Sequence, residues 1–274
     1  MAASNITEIN FIKSFELVPK KSYGYPEATD ALDMMEGISN VITAPENPMG
    51  MPGIDPLMVL YAATHGRNII PVPHITPRDK NKLHIHSQVL TGMKFGINHF
   101  FAIGGDPIHK TMESREVREL DVVGLIRAIK DSKGYSRDFS SSSDVMVGSS
   151  FNPFRGAEED IVNAKIGGGS GFFITQAFYD SSLLKRDWIR KRNFKLIAGF
   201  MPIQKESQIE FMKKLGAKIP QPPSMGTDAM SGNNRTEEPL SRKNNQPGRA
   251  STARNLQLAY LLALTLVAGC GQRC

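Results

Sequence analysis

From residue 11 to residue 215 the chain alternates short apolar runs with longer stretches whose apolar positions recur at helical spacing. The apolar runs predict strands at 11–18, 39–43, 68–73, 98–103, 144–149, 171–175 and 195–199. The intervening stretches predict helices at 26–36, 56–65, 79–95, 117–132, 156–166, 181–190 and 206–215. Pro26 and Pro56 suit first-turn positions, and Asp55 is placed to cap the second helix. Each strand-plus-helix unit has the length of one βαβ step, which argues for a parallel sheet. The even spacing, with no nucleotide fingerprint after the first strand, favours a (β/α)8 TIM barrel over an open doubly wound sheet.

The eighth unit does not follow the pattern. Residues 224–254 are rich in Ser, Asn, Gly, Arg and Pro and read as a disordered, linker-like segment. A strongly apolar run follows within 255–274. It is shorter than the roughly 20 residues of a membrane span. It reads first as sequence foreign to the barrel, then as an apolar helix plugging an incomplete barrel, and last as an anchor. The expected division is therefore a barrel domain at 1–223, the linker-like segment and the apolar tail.

Composition narrows the function classes. The net charge of +6 invites a nucleic-acid reading, but residues 225–274 carry six Lys/Arg against three acids, so half of the excess sits in the tail. No basic stripe interleaved with aromatics runs along the body. Both cysteines, Cys270 and Cys274, lie in the last five residues. The body therefore holds no disulfide framework, thiolate metal site or cysteine nucleophile. No export signal opens the chain, so a cytoplasmic protein is expected. No metal site, nucleic acid or membrane is expected as a partner, and a homo-oligomer stays open.

Chemistry concentrates where apolar strands end. His99–Ile103 runs into Gly104-Gly105-Asp106-Pro107, two glycines and a carboxylate at the carboxyl end of a buried strand, where ligands bind in barrels; a turn that merely caps the next helix is the alternative. Glu16 lies between apolar neighbours near the end of the first strand; facing inward, its carboxyl pKa would be raised by desolvation toward general-acid use, and the alternative is an outward-facing glutamate on a frayed strand end. His74 sits between Pro73 and Ile75 at the third strand end; it could face a ligand or bond a carbonyl. Gln176 emerges from Gly171–Thr175, and its amide can read a ring edge. Glu158 and Lys165, seven apart, lie about two turns along one helix face, which a solvated helix surface would equally explain. His84 and His86, at i and i+2, face apart.

Together these stretches resemble the methylenetetrahydrofolate reductase family. The chain carries Ser14-Phe15-Glu16, Pro73-His74-Ile75-Thr76, Gly105-Asp106 and Thr175-Gln176-Ala177-Phe178-Tyr179-Asp180 in the family's order, each at a predicted strand end. Lys165 stands eleven residues before Gln176, as in the family. The resemblance covers about residues 11–222.

The resemblance implies a flavin-bearing barrel in which NADH or NADPH reduces FAD, and the flavin then reduces a methylene-tetrahydrofolate to the methyl form. It implies Glu16 as general acid, Asp106 as the charge beside flavin and pterin, and Gln176 as a pterin or nicotinamide contact. It implies Thr43, His74, Gly105, Asp106, Glu158 and Lys165 as flavin-contacting positions, with Lys165 near phosphate or ribitol oxygens. Gly104 stands where members often carry arginine, and the loop 44–52 differs, which leaves FMN open. A methanopterin-type carrier, or a pterin-binding chain without catalysis, are the alternatives.

Overall fold

The computed structural model describes residues 5–18, 33, 37–135, 144–191, 194–203, 206–214, 219 and 262–265. Seven strands run parallel in chain order: β1 (Lys13–Glu16), β2 (Val41–Ala44), β3 (Ile70–Ile75), β4 (His99–Ala102), β5 (Met146–Phe151), β6 (Phe172–Thr175) and β7 (Lys195–Phe200). An eighth strand, β8 (Leu262–Thr265), pairs antiparallel with both β7 and β1 and closes the barrel. The apolar tail thus contributes a strand at the eighth position, where sequence foreign to the barrel was the first expectation and a plugging helix the second. The predicted linker-like segment at 224–254 and the predicted helix at 26–36, apart from Asp33, lie outside the described residues.

The twofold side-chain period of each strand sorts its residues between two environments. Val41, Val72, Phe101, Phe172, Ile174 and Ile197 form the apolar filling of the barrel, joined by Ile6 and Ile12 from the N-terminal segment. Alternate positions such as Phe15, Ile42, Phe100, Val147 and Phe173 pack outward under the helices. Each fully buried phenylalanine of this kind contributes about 1.5–3 kcal/mol. The amino-terminal opening is stoppered by the Asn5–Ile12 segment. There the Ile6 amide donates to His99 Nε2 at 3.2 Å, and Lys195 Nζ donates to the Ile9 carbonyl at 2.7 Å.

The helices carry legible caps. In α1 (Pro56–Thr64), Asp55 Oδ1 accepts from the Leu57 and Met58 amides at 2.8 and 3.1 Å. In α2 (Lys82–Lys94), Asn81 Oδ1 accepts from the His84 amide, and in α3 (Val122–Asp131), Asp121 accepts from Gly124. These caps start α2 three residues and α3 five residues later than the sequence predicts. The next helix, α4 (Glu158–Gly167), starts two residues later and ends one residue later than the sequence predicts. The single helix predicted at 181–190 is split into a 3-10 turn, Ser181–Lys185, and one α turn, α5 (Asp187–Arg190), because Arg186 is extended at φ −60°, ψ 136°. α6 (Glu206–Lys214) follows β7.

Candidate functional site

At the carboxyl ends of the parallel strands lies a cavity of about 540 Å³. The inward positions just above the apolar filling form its floor and walls. Ser14 and Glu16 come from β1, Thr43 from β2, His74 from β3, Phe101 and Ile103 from β4 and beyond it, Ser150 from β5, and Ile174 and Gln176 from β6 and beyond it. Gly104, Gly105 and Asp106 complete one wall. Glu16, Asp106 and Gln176, distant in the chain, therefore share one cavity, with Thr43, His74 and Gly105 among its other lining residues. Gly105 is in the left-handed region, φ +73°, and a Cβ there would lie 3.1 Å from the Thr76 side chain, so the backbone turns tightly against the third strand end.

Glu16 and His74 face each other, with His74 Nε2 3.9 Å from Glu16 Oε2. Burial pushes the Glu16 carboxyl up to about 7 and the His74 imidazole down to about 3. Around neutrality the histidine is uncharged and the carboxyl is half protonated, so this contact is no ion pair. Both His74 ring nitrogens are buried without a hydrogen-bond partner. A polar group buried that way costs on the order of 1–3 kcal/mol. The ring is held instead by Phe101, centroids 4.8 Å apart. Arg155 is the cation among the described lining residues, and it pairs with Glu158 at 3.3 Å.

Asp106 is positioned by the loops over the mouth. Its Oδ2 accepts from the Met49 amide at 2.8 Å. Gly50 lets the two loops touch: at φ +68°, its missing Cβ would fall 1.9 Å from the Pro107 carbonyl, and its own carbonyl accepts from His109 N at 3.0 Å. Beneath them Glu46 is buried among the Thr76 amide, the Thr76 hydroxyl, Lys80 Nζ and the Gln88 amide at 2.7, 3.0, 2.5 and 3.2 Å. Sequence reasoning did not single out Glu46, Met49, Arg78, Lys80 or Arg155. The signal available for two of these, Arg78 and Lys80, was the alternating charge of Arg78-Asp79-Lys80 shortly after a strand end.

Glu158 and Lys165 lie outside the cavity lining. Both are buried, where a solvated helix face was the plain alternative. Lys165 Nζ donates to the Ser150 carbonyl at 2.5 Å and the Ser150 hydroxyl at 3.2 Å, and burial lowers its pKa to about 8. Glu158 Oε1 accepts from the Asn152 amide at 2.7 Å. The pair braces β5 and the turn after it from behind, because α4 packs its inner face on that strand. Its reach stops at the strand that forms the wall.

A parallel-strand barrel with a semi-polar cavity at the carboxyl-terminal mouth, set with a carboxyl of raised pKa and flanked by carboxylate and amide, is the architecture of a barrel enzyme or ligand-binding barrel. The chain belongs to the methylenetetrahydrofolate reductase family, whose model matches residues 3–238. Among solved structures it is similar to an uncharacterized protein from Clostridium thermocellum that binds two copies of 5-methyl-5,6,7,8-tetrahydrofolic acid. The TM-score is 0.53 at 15% identity, over 76% of this chain and 72% of that one. A 2,3-dimethylmalate lyase of the PEP mutase/isocitrate lyase superfamily aligns at a TM-score of 0.47 and 10% identity, over 73% of this chain and 72% of that one. No curated protein sequence matches the chain. No helix among the described residues is long and apolar enough to cross a membrane.

Proposed function

We propose that the chain reduces 5,10-methylenetetrahydrofolate to 5-methyltetrahydrofolate, using NADH or NADPH and a bound flavin, FAD or FMN, in ping-pong order. The observation that carries this reading is Glu16, a carboxyl held near neutrality in the cavity it shares with Asp106 and Gln176. The family membership supports the same reaction class.

The cavity suits a flat ring that is apolar on its faces and polar at its edge. Phe101, Ile103 and Ile174 offer apolar surface, while Thr43 and the unpartnered His74 nitrogens offer polar contacts at the wall. Thr43, His74 and the Gly104-Gly105 backbone would hold the flavin, and Glu158 and Lys165 support that wall from outside. Bound there, the flavin supplies a two-electron relay between the nicotinamide and the one-carbon unit.

The chain's own residues handle protons and charge. Protonated Glu16 delivers its proton to N10 as the C–N10 bond of the methylene bridge breaks, leaving an N5 iminium. The Asp106 carboxylate stabilises that cation, and hydride addition to its carbon yields the N5-methyl product. Gln176 hydrogen-bonds the pterin edge. Glu16 regains its proton from solvent through the cavity mouth.

The full chain, incubated with FAD or FMN and purified, tests the reading. The expected sample is yellow, bleaches anaerobically with NADH or NADPH, and recolours with 5,10-methylenetetrahydrofolate as 5-methyltetrahydrofolate forms. A sample that stays colourless with both flavins removes the reductase. The second reading, a pterin-binding chain without catalysis, draws on the described folate binding of the similar Clostridium thermocellum protein. Calorimetric binding of 5-methyltetrahydrofolate by a colourless sample would establish it in place of the first.

A further inference from the structure

Arg78 takes no part in the chemistry above, yet it is 1% exposed and heads the large side chains that are fully buried. It lies in the loop between β3 and α2 and reaches two other loops. Its Nε and Nη2 fork onto the Asp79 carboxylate, the latter at 2.8 Å. Its Nη1 donates to the Asp106 carbonyl at 2.8 Å and to the Asn47 carbonyl at 3.3 Å. Asp79 in turn accepts from Asn47 Nδ2 at 2.9 Å. One guanidinium thus grips the backbone of the loop after β2 and of the loop after β4.

Those are the loops that fix the Asp106 carboxylate. Asn47 and Met49 hold left-handed backbone, φ 42° and 57°, which aims the Met49 amide at Asp106 Oδ2. Asparagine tolerates that region, but methionine does not favour it, so the Met49 backbone stays there only while neighbouring contacts hold it. A buried ion cluster is also a weak source of stability, since apolar side chains of equal volume do as well or better. What the cluster supplies that apolar packing does not is direction: a planar fork donating three ways at fixed angles.

We infer that Arg78 is a positioning residue, which sets the Asp106 carboxylate over the cavity by clamping the Asp106 and Asn47 carbonyls together. The inference rests on the reductase reading of the cavity. It assigns Arg78 an effect on the folate half-reaction that passes through Asp106 alone.

The test is the single-turnover folate half-reaction of the flavin-loaded full chain, compared for wild type, Arg78→Gln, Arg78→Lys, Asp106→Asn and the double variant Arg78→Gln/Asp106→Asn. A misplaced carboxylate predicts about a 100-fold loss for Arg78→Gln. Arg78→Lys, which keeps the charge without the fork, is expected to lose most of the rate as well. The double variant is expected to match Asp106→Asn, because removing the carboxylate leaves Arg78 nothing to position. An additional slowing of Asp106→Asn by the factor seen in the single variant would mark a merely structural role and overturn the inference. So would an unchanged Arg78→Gln, or full activity in Arg78→Lys. Should Arg78→Gln fail to fold, Arg78→Lys with and without Asp106→Asn carries the same comparison. A wild-type chain that takes up flavin but never reduces folate removes the reductase reading itself, and this inference falls with it.

Discussion

Glu16 and His74 meet across the cavity as two groups that burial drives toward neutrality from opposite directions: the carboxyl up to about 7, the imidazole down to about 3, with 3.9 Å between them. An uncharged histidine offers Glu16 no cation that would pull its proton off. The carboxyl is therefore a working acid only below its raised pKa. The folate half-reaction is expected to fall as pH rises through about 7, read by stopped-flow at saturating folate. Glu16→Gln should abolish that half-reaction and spare flavin reduction by the nicotinamide donor. Loss of both would remove Glu16 from the acid's role.

The same burial has a stability consequence of opposite sense to its catalytic use. The unfolded chain releases the Glu16 proton near pH 4.5, whereas the folded chain holds it to about 7, so folding loses ground as pH rises between those values. Above 7 the penalty is complete. Glu16→Gln is therefore expected to melt at a higher temperature than the wild type at pH 8, with the advantage vanishing near pH 4.5. A variant that melts lower at pH 8 would show that the charged carboxylate is better accommodated than its burial implies.

His99 acts at the far end of the barrel with the reverse sign. Burial holds its imidazole at about 4, and its Nε2 must stay unprotonated to accept from the Ile6 amide. In the unfolded chain it titrates near 6.5. Stability is thus present above pH 6.5 and lost as pH falls from there toward 4. His99→Gln, which keeps an acceptor but does not titrate, is expected to flatten that part of the acid-denaturation curve. The His74 contribution would remain, extending to about pH 3. An unchanged curve in the variant would place the acid sensitivity elsewhere.

Much of the barrel was legible because parallel strands buried on both faces are written as continuous apolar runs, such as His99–Ala102 and Phe172–Thr175. The inward order of Ser14 and Glu16, or Val41 and Thr43, follows from the twofold period once a strand is granted. The loops were harder. Arg78-Asp79-Lys80 has the charge of a first helical turn, and the sequence predicts a helix start at 79. Tertiary pairs claim those charges instead, and Asn81 caps α2. Glu46 lies in a Pro/Gly/Met-rich loop with no period to read, so nothing local announced its buried partners. For Glu158 and Lys165 the shared helix face was visible, but not that it abuts the back of the Ser150 strand.

Glu46 and Lys80 should prove inseparable. The two are buried 2.5 Å apart, and Glu46 Oε2 also accepts from the Thr76 amide. Lys80→Met leaves a buried carboxylate without its cation, an expected loss of about 3–5 kcal/mol in urea unfolding. Adding Glu46→Gln removes the stranded charge and keeps an acceptor for Thr76, so the double variant should recover most of that loss. Additive losses in the double variant would mean that the two residues stabilise the mouth independently.

Gly50 and Gly66 make a matched pair for testing whether the loop after β2 must dock on the loop after β4. Both hold left-handed backbone, φ +68° and +77°. At Gly66 an added Cβ meets nothing within 4 Å, so Gly66→Ala carries only the conformational penalty, about 1–2 kcal/mol. At Gly50 the same methyl group lands 1.9 Å from the Pro107 carbonyl and 2.7 Å from the His109 amide nitrogen, both backbone atoms that cannot swing aside. Gly50→Ala must therefore separate the loops, drawing the Met49 amide from Asp106 and the Gly50 carbonyl from His109 N. The expected outcome is a larger loss in urea unfolding than for Gly66→Ala, with a slowed folate half-reaction in Gly50→Ala alone. Equal losses and equal rates in the two variants would show that the docked loops do not govern Asp106, since the contact would then have been broken without consequence.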